Sequence, residues 1–310
     1  MKLLIICYHY IYLEENPYIK RGIFIDQFEE QLKYLKGHYK IVHFSDLPDI
    51  EKDTPACILT FDDGLKECYT KVFPVLEKMN AKAVFFICSR IYSESFILTV
   101  QKSHILTSRL GQDEFIAQFY RIYNERHGAV TRENLQEVDY DEIYPYDLDR
   151  VRQFKLDLNY RLRINIVDDI LAELFKRSFS ESESEIVDEI YLSENQLKEV
   201  YASALVELGA HSHSHYLMSR LDVKEQEKEI KLSVDFLQDR IGCRIPVPFS
   251  YPFGRKGTYN QTTKEILIKD KRVGWACNML RMNNNGIEDK FDIHRFDVND
   301  IFVKGIPGLV

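Results

Sequence analysis

The sequence of 310 residues lacks several features that would point to particular classes of protein. It contains no run of eighteen apolar residues, which excludes a membrane-spanning helix. It has no Cys-x-x-Cys pair, which argues against a zinc–cysteine site. It has no excess of positive charge, and a formal net charge of −8 is not suited to the phosphates of a nucleic acid. A neutral or cationic glycan fits such a surface better than a polyanion.

The first residues and the cysteines bear on the cellular compartment. The apolar run at residues 3–6 is too short for the hydrophobic region of a signal peptide, so we expect it to form the first strand. The cysteines are dispersed, and most lie in or near apolar strand patterns, which predicts reduced, buried thiols. On both grounds we expect a cytoplasmic protein. The six cysteines are Cys7, Cys57, Cys68, Cys88, Cys243 and Cys277.

Two adjacent carboxylates follow an apolar, β-prone segment. Residues 56–60 (Ala-Cys-Ile-Leu-Thr) predict a buried parallel strand, and the sequence Phe-Asp-Asp-Gly (61–64) comes directly after them. Because an unpaired buried charge is costly, these carboxylates need a cation, an arginine or helix N–H groups as partners. Taken alone, the pattern also allows Asp62 to cap a helix while Asp63 is solvated.

Three histidines alternate with serines about 150 residues later. Residues 211–215 (His-Ser-His-Ser-His) follow another apolar segment, 202–208, so they also lie at a predicted strand end. A continued strand would place all three imidazoles on one face. The pattern favours a turn into a helix, on which His211 and His215 share a face and His213 points elsewhere. Two imidazoles and one carboxylate form a set with open positions, as in catalytic zinc sites.

These motifs together resemble the polysaccharide deacetylases, the NodB-homology carbohydrate esterases. Residues 60–64 and 211–215 look like the first two motifs of that family, in its order and separation. Residues 73–76 (Phe-Pro-Val-Leu) and 83–87 (Ala-Val-Phe-Phe-Ile) resemble the helix and strand that follow the aspartates. Residues 249–254 (Phe-Ser-Tyr-Pro-Phe-Gly) resemble the family's Pro-aromatic-Gly motif.

The resemblance covers about residues 1–95 and 200–300 and implies a NodB-like distorted (β/α) barrel. Both parts alternate predicted strands and helices, which indicates a parallel sheet. We expect a single deacetylase domain over residues 1–310, with a mostly helical insertion at about 96–200. The insertion is either a cap that gates the substrate or an elaboration for packing or dimer contact.

The resemblance also implies a division of roles among the polar residues. Amide hydrolysis in this family implies a divalent metal, held here by Asp63, His211 and His215. We expect zinc, with cobalt or nickel as alternatives. Asp62 is then the general base, kept ionised by the cation beside its neighbour. His9, at the end of the first predicted strand, resembles the proton-donating histidine of a permuted subgroup of the family.

Other expected site residues depend on the third motif. The backbone N–H of Phe253, in a turn fixed by proline and glycine, is a candidate donor to the oxyanion, and Tyr251 and Phe253 are expected to line the sugar subsite. Many family members have an arginine where this chain has Ser250. We expect Arg295 to substitute for it, with Asp297 as its neighbouring partner, unless these two form a surface ion pair.

The acid has a second candidate, His294, in the alternating segment that contains Arg295. In a strand, adjacent side chains face opposite ways, so His294 cannot face the site if Arg295 does. We therefore predict His9.

The predicted function is a metal-dependent hydrolase that removes an N-acyl group, acetyl or formyl, from a sugar. The substrate is an oligosaccharide or other glycan, or a precursor such as a nucleotide- or lipid-linked sugar. The missing export signal favours a precursor over a secreted polymer. The alternative is a non-catalytic carbohydrate-binding protein that keeps the metal site, which the departure at Ser250 supports.

Overall fold

A parallel sheet that curls into a nearly closed barrel is the centre of the structure, a computed structural model. The residues that it describes are 2–12, 18, 22–51, 53–133, 138, 140, 143–144 and 147–302. The strands are β1 Lys2–Tyr8, β2 Ile11–Tyr12, β3 Ile23–Phe24, β4 Lys40–Ile41, β5 Ala56–Phe61, β6 Ala83–Ile87, β7 Val206–Ala210, β8 Val247–Ser250, β9 Val273–Asn278, β10 Asn284–Asn285, β11 Ile293–His294 and β12 Phe296–Asp297.

The barrel strands are parallel neighbours in the order β1-β5-β6-β7-β8-β9. Beyond β9 the sheet continues with β11, whereas β12 pairs with β1 at the opposite edge. Arg295 alone separates β11 from β12. The chain therefore passes from one edge of the sheet to the other within a few residues and almost closes the barrel, as the predicted distorted (β/α) barrel requires.

Helices surround the barrel and fill the long connection between β6 and β7. The α-helices are α1 Ile25–His38, α2 Phe73–Met79, α3 Arg90–Glu94, α4 Thr99–Leu110, α5 Gln112–His127, α6 Asp149–Leu156, α7 Ile164–Ser178, α8 Glu183–Ile190, α9 Glu194–Ala202, α10 Val223–Asp235, α11 Gln261–Lys269 and α12 Val298–Phe302. Shorter 3-10 turns lie at Phe44–Asp49 and Met218–Arg220, and π-helical turns at Cys68–Val72, Asp157–Arg161 and Phe236–Ile241.

Continuous apolar runs explain why the central strands lie inside the barrel. Every residue of β5 and β6 is buried, and so are all residues of β1 except Lys2. A strand covered on both faces needs such an unbroken run, since neither face meets water. An outer helix such as α10 instead has one buried face, and Asp222 caps its first turn by accepting from the Glu225 N–H at 2.8 Å.

Helices α4 to α8, here named the helical segment, pack on the carboxyl-end edge of the barrel. Their apolar side chains share one core with Tyr10, Leu65 and Cys88, which directly follow β1, β5 and β6 or lie just beyond them. Functional residues of parallel barrels collect at that edge. The helical segment therefore covers the part of the barrel where the predicted site lies.

The predicted helix after His211 is absent, and this prediction is wrong. Residues 211–217 are irregular, and a single 3-10 turn follows at Met218–Arg220. Ser212 and His215 have φ angles of 60° and 59°. These angles belong to the left-handed region, which a right-handed helix cannot contain.

All six cysteines are free and buried, which confirms the prediction that their side chains lie in the interior. Within the described part of the chain, no helix combines the length and the apolar character needed to cross a bilayer.

Candidate metal centre

The carboxyl ends of neighbouring strands bring the predicted site residues together. Asp62 and Asp63 directly follow β5, and His9 follows β1, its parallel neighbour. His211 follows β7, and Ser250 ends β8, which pairs with β7. The polar groups of distant sequence segments thus meet at one edge of the barrel, as the strand-end pattern predicted.

Asp63, His211 and His215 form a compact group of possible metal ligands. Their ligand atoms all lie within 4.8 Å of one another, and the three side chains are buried or nearly so. Asp63 Oδ1 is 3.5 Å from Nε2 of His211 and 3.5 Å from Nε2 of His215. These separations are too long for good hydrogen bonds. They match the roughly 3.3 Å between ligands that each lie about 2.0–2.1 Å from a tetrahedral zinc ion.

The protonation of His211 suits a metal ligand. Its Nδ1–H donates to the Ser250 carbonyl oxygen at 2.7 Å, which leaves the lone pair of Nε2 directed to the aspartates. Burial lowers the pKa of His211 to about 4, and burial likewise lowers the pKa of His215 to about 4. Both imidazoles are therefore neutral at pH 7 and can each offer a nitrogen lone pair.

Asp63 presents one oxygen that the protein does not satisfy. Its Oδ2 accepts a hydrogen bond from Gln101 Nε2 at 2.7 Å. Its Oδ1 is buried and has no hydrogen-bond partner within the described residues. An orphaned buried carboxylate oxygen between two neutral imidazoles fits a divalent cation.

Unusual backbone conformations place these ligands. Asp63 has a φ of 73° and Gly64 a φ of 67°, so the chain turns sharply at the end of β5. The left-handed residues Ser212 and His215 fold the loop after β7 back on itself, and Ser212 Oγ accepts from the His215 N–H at 3.0 Å. His211 and His215 therefore meet through a tight loop, where helical spacing had been expected to bring them together.

Asp62 is paired with Arg295 inside the protein. The guanidinium donates to both carboxylate oxygens, at 2.7 Å from Nη1 and 2.8 Å from Nη2. Arg295 is 0% exposed and Asp62 is 3% exposed. Burial alone would raise the pKa of Asp62, but the facing guanidinium outweighs it and holds that pKa well below its usual range. Asp62 is therefore an ionised carboxylate at neutral pH.

Arg295 uses all five of its N–H donors within the protein. Besides the two bonds to Asp62, it donates to Ser250 Oγ, Thr60 Oγ1 and the Asn278 carbonyl oxygen. No N–H of Arg295 therefore remains to donate to a substrate oxyanion. The guanidinium instead orients Asp62, and Ser250 Oγ donates to the same carboxylate at 3.3 Å.

This pairing bears on two other expectations. Asp297 Oδ1 accepts hydrogen bonds from the backbone N–H and from the side-chain amide of Asn299, and Arg295 has no donor left for Asp297. Where Ser250 replaces an arginine, the guanidinium is supplied by Arg295, which lies between β11 and β12. The observation on which the binding-protein alternative depended is thereby removed.

The two candidate acids lie in different surroundings. His9 faces the cavity beside Asp62 and forms a second close group with Cys7 and Asp62. His294 Nδ1 is 3.1 Å from Asn278 Oδ1, and His294 is not among the described residues that line the cavity. The alternation of side chains that favoured His9 is thus seen in the structure.

A cavity of about 550 Å³ opens above the proposed ligands. Phe253 and Tyr251, the two residues predicted to line a sugar subsite, both line this cavity. Phe253 has a φ of 61°, its ring contacts those of His215 and Tyr160, and its backbone N–H has no partner among the described residues. The helical segment contributes His104, Lys155, Leu158, Asn159 and Tyr160 to the lining.

Two further residues, His213 and Gln101, lie near the ligand group. His213 points away from the ligand group, as predicted, and its Nδ1 is 2.8 Å from Ser89 Oγ. Gln101, on α4, was missed because nothing in the sequence distinguishes one glutamine of an amphipathic helix from another. Its complete burial is visible only in the folded chain.

Comparisons with known proteins indicate a family and a fold for this chain. The family model described as Polysaccharide deacetylase matches residues 49–127 and 176–271, more than half of the chain. A search of curated proteins finds no match.

Solved structures share the fold at low sequence identity. The Streptococcus pyogenes deacetylase PplD in complex with acetate is 16% identical, with a TM-score of 0.58, covering 96% of this chain and 92% of that one. IcaB from Ammonifex degensii is 18% identical, with a TM-score of 0.56 and coverage of 96% and 91%. The BpsB deacetylase domain from Bordetella bronchiseptica is 14% identical, with a TM-score of 0.52 and coverage of 96% and 95%.

Proposed function

This chain belongs to the polysaccharide deacetylase family and is a hydrolase of the sugar deacetylase type, and from that premise we propose a metal-dependent reaction. The proposed reaction removes an N-acyl group, acetyl or formyl, from a sugar of a glycan or a glycan precursor. The proposed cation is zinc, with cobalt or nickel as alternatives, held by Asp63, His211 and His215.

One observation carries the proposal: the buried, unsatisfied Oδ1 of Asp63 lies 3.5 Å from two imidazole nitrogens. Burying a charged oxygen without a partner is unfavourable, and two neutral imidazoles cannot relieve it. A divalent cation at that point would satisfy all three ligands. When bound, such a cation would polarise the acyl carbonyl and lower the pKa of the attacking water.

Asp62 is the proposed general base. Its carboxylate oxygens offer about four lone-pair positions and accept three hydrogen bonds, two from Arg295 and one from Ser250. One position therefore remains to accept the proton of the attacking water. Because Arg295 holds the pKa of Asp62 low, the carboxylate stays ionised through the neutral pH range.

His9 and Phe253 complete the proposed reaction. The water oxygen forms a bond to the acyl carbon. The free backbone N–H of Phe253 donates a hydrogen bond to the acyl oxygen, which then carries a negative charge. The C–N bond then breaks, and His9, which lines the cavity, gives a proton to the departing amine nitrogen. This role for His9 is the feature that relates the chain to the permuted subgroup.

The substrate has to fit the cavity above the ligands. The cavity volume of about 550 Å³ is within the usual range for small-molecule sites and leaves room for more than the acyl group. The Phe253 ring provides an apolar surface for a sugar face. We propose an acylated sugar, as part of an oligosaccharide or as a nucleotide- or lipid-linked precursor, and no nucleic acid.

The experiment is a screen for released acid. Metal-free protein would be loaded with zinc, cobalt or nickel and incubated with N-acetylated and N-formylated oligosaccharides and nucleotide sugars. We expect acid release that depends on the metal and is lost in His211→Ala together with about one equivalent of bound metal. His294→Ala is the matched control, since that histidine lies outside the proposed ligand group.

Two results would contradict the proposal. Unchanged metal content in His211→Ala would show that the ligand group is wrong. Tight binding of the sugars without acid release, with metal present, would favour the binding-protein alternative. We also propose a cytoplasmic location on the ground of the six buried free thiols, and recovery of the native protein outside the cytoplasm would contradict it.

A further inference from the structure

The helical segment contributes a buried side chain to the proposed metal centre. Gln101, on α4, is 0% exposed and donates through Nε2 to Asp63 Oδ2 at 2.7 Å. We propose that Gln101 is a positioning residue, which holds the Asp63 carboxylate so that Oδ1 is presented to the cation. This inference depends on the proposed function, because it concerns the ligand role of Asp63.

The orientation of the Gln101 amide is determined by its neighbours. The Leu98 backbone N–H donates to the Tyr191 hydroxyl at 3.1 Å, so the hydroxyl hydrogen is available for another acceptor. That hydroxyl donates to Gln101 Oε1 at 3.4 Å. The amide nitrogen therefore faces Asp63, and the reverse orientation would place two oxygens in contact.

The second hydrogen of the amide nitrogen also has an acceptor. Gln101 Nε2 lies 3.3 Å from the Tyr10 hydroxyl oxygen, and that oxygen is 2.8 Å from His104 Nδ1. Tyr10 follows β1, and Tyr10 and His104 both line the cavity. Gln101 is thus held from three sides and cannot follow a rotation of the carboxylate.

A fixed donor on one carboxylate oxygen selects the other oxygen as ligand. Oδ2 is occupied by Gln101, whereas Oδ1 has no partner and lies between His211 and His215. Hydrogen-bonded partners of metal ligands orient those ligands, and their removal costs about 10–100-fold in metal affinity. The helical segment is therefore part of the metal centre, in addition to its contribution to the cavity wall.

The test replaces Gln101 by methionine, which has a similar length and volume but no donor. Zinc affinity of the metal-free protein would be measured by competition with a chromophoric chelator. We expect Gln101→Met to bind zinc about 10–100-fold more weakly than the wild type. Gln226→Met is the matched control: Gln226 is also buried and hydrogen-bonded, to Leu221 and Thr263 on the outer side, and its loss should leave zinc affinity unchanged.

A background variant separates positioning from a general structural effect. In Asp63→Ala the carboxylate that Gln101 orients is gone, so adding Gln101→Met should not weaken zinc binding further. An equal fold-loss in both backgrounds would overturn the inference, as would wild-type affinity in Gln101→Met. If Gln101→Met does not fold, Tyr191→Phe removes the hydroxyl that orients the amide, and unchanged zinc affinity there would overturn it too.

The wild type distinguishes this inference from the proposed function. If wild-type protein binds no zinc, cobalt or nickel, the proposed metal centre is wrong and the role of Gln101 is wrong with it. If the wild type binds metal and Gln101→Met binds it equally well, the metal centre stands and only the positioning role is refuted.

Discussion

The pair formed by Arg295 and Asp62 allows a quantitative prediction for Arg295→Met. The change removes a guanidinium that is 0% exposed and leaves a carboxylate that is 3% exposed. Asp62 then retains one weak donor, Ser250 Oγ at 3.3 Å, and loses two charge-assisted hydrogen bonds. Removing one partner of a buried ion pair costs about 3–5 kcal/mol. We therefore expect the free energy of unfolding to fall by that amount at neutral pH.

The loss should depend on pH in a defined direction. In the wild type, the folded-state pKa of Asp62 is lowered, so the carboxylate contributes stability above its ordinary pKa of 3.8. Without Arg295, burial is the main remaining influence and raises that pKa above 3.8. Between pH 3.8 and the raised pKa, the folded variant holds a proton on Asp62 that the unfolded chain has released. The stability of the variant therefore falls as the pH rises over that range. The measured loss should therefore be smaller near pH 5 than near pH 7.5.

Urea unfolding of metal-free protein is the assay, so that changes in metal affinity do not contribute. Arg272→Met is the control, because Arg272 pairs with Asp270 and Asp235 near the surface, where such pairs are worth about 0–1 kcal/mol. Adding Asp62→Asn to Arg295→Met removes the stranded charge and should restore stability. A loss in Arg295→Met no larger than that in Arg272→Met, or a further loss on adding Asp62→Asn, would refute the reasoning.

Three further predictions concern the proposed reaction and its residues. Asp62→Asn should keep the metal but lower turnover by about 10²–10⁴-fold, and near-normal turnover would contradict the base assignment. In metal-free protein the pKa values of His211 and His215 are about 4, below the ordinary 6.5. Between pH 6.5 and 4 the two histidines are protonated in the unfolded state but not in the folded state. Stability therefore falls as the pH drops over that range. The loss is up to about 1.4 kcal/mol per pH unit for each histidine. In urea unfolding, His211→Gln should reduce the slope of stability against pH, and an unchanged slope would contradict the low pKa of His211. His9→Ala should lower turnover on amides far more than on an activated ester, whose leaving group needs little protonation, and the opposite ranking with His294→Ala would favour His294.

Much of the fold and of the candidate site follows from local sequence. Unbroken apolar runs predict buried parallel strands, and polar residues directly after them predict a site at the carboxyl-end edge. On this ground Asp62, Asp63, His9 and His211 are expected to lie together. Only the identity and order of neighbouring residues are needed for that expectation, because strand ends of a parallel barrel necessarily meet.

The long-range partners and the loop conformations depend on the tertiary structure. Arg295 and Asp62 lie 233 positions apart and meet because the chain crosses from β11 to β12 at the closing edge of the barrel. The helix predicted after β7 was wrong because left-handed residues, which side-chain spacing does not reveal, turn the loop. Gln101 reaches Asp63 only because the helical segment packs on the barrel. Residue order and apolar patterning thus determined the strand ends, and packing between distant segments decided which charges are paired and which oxygen is left free.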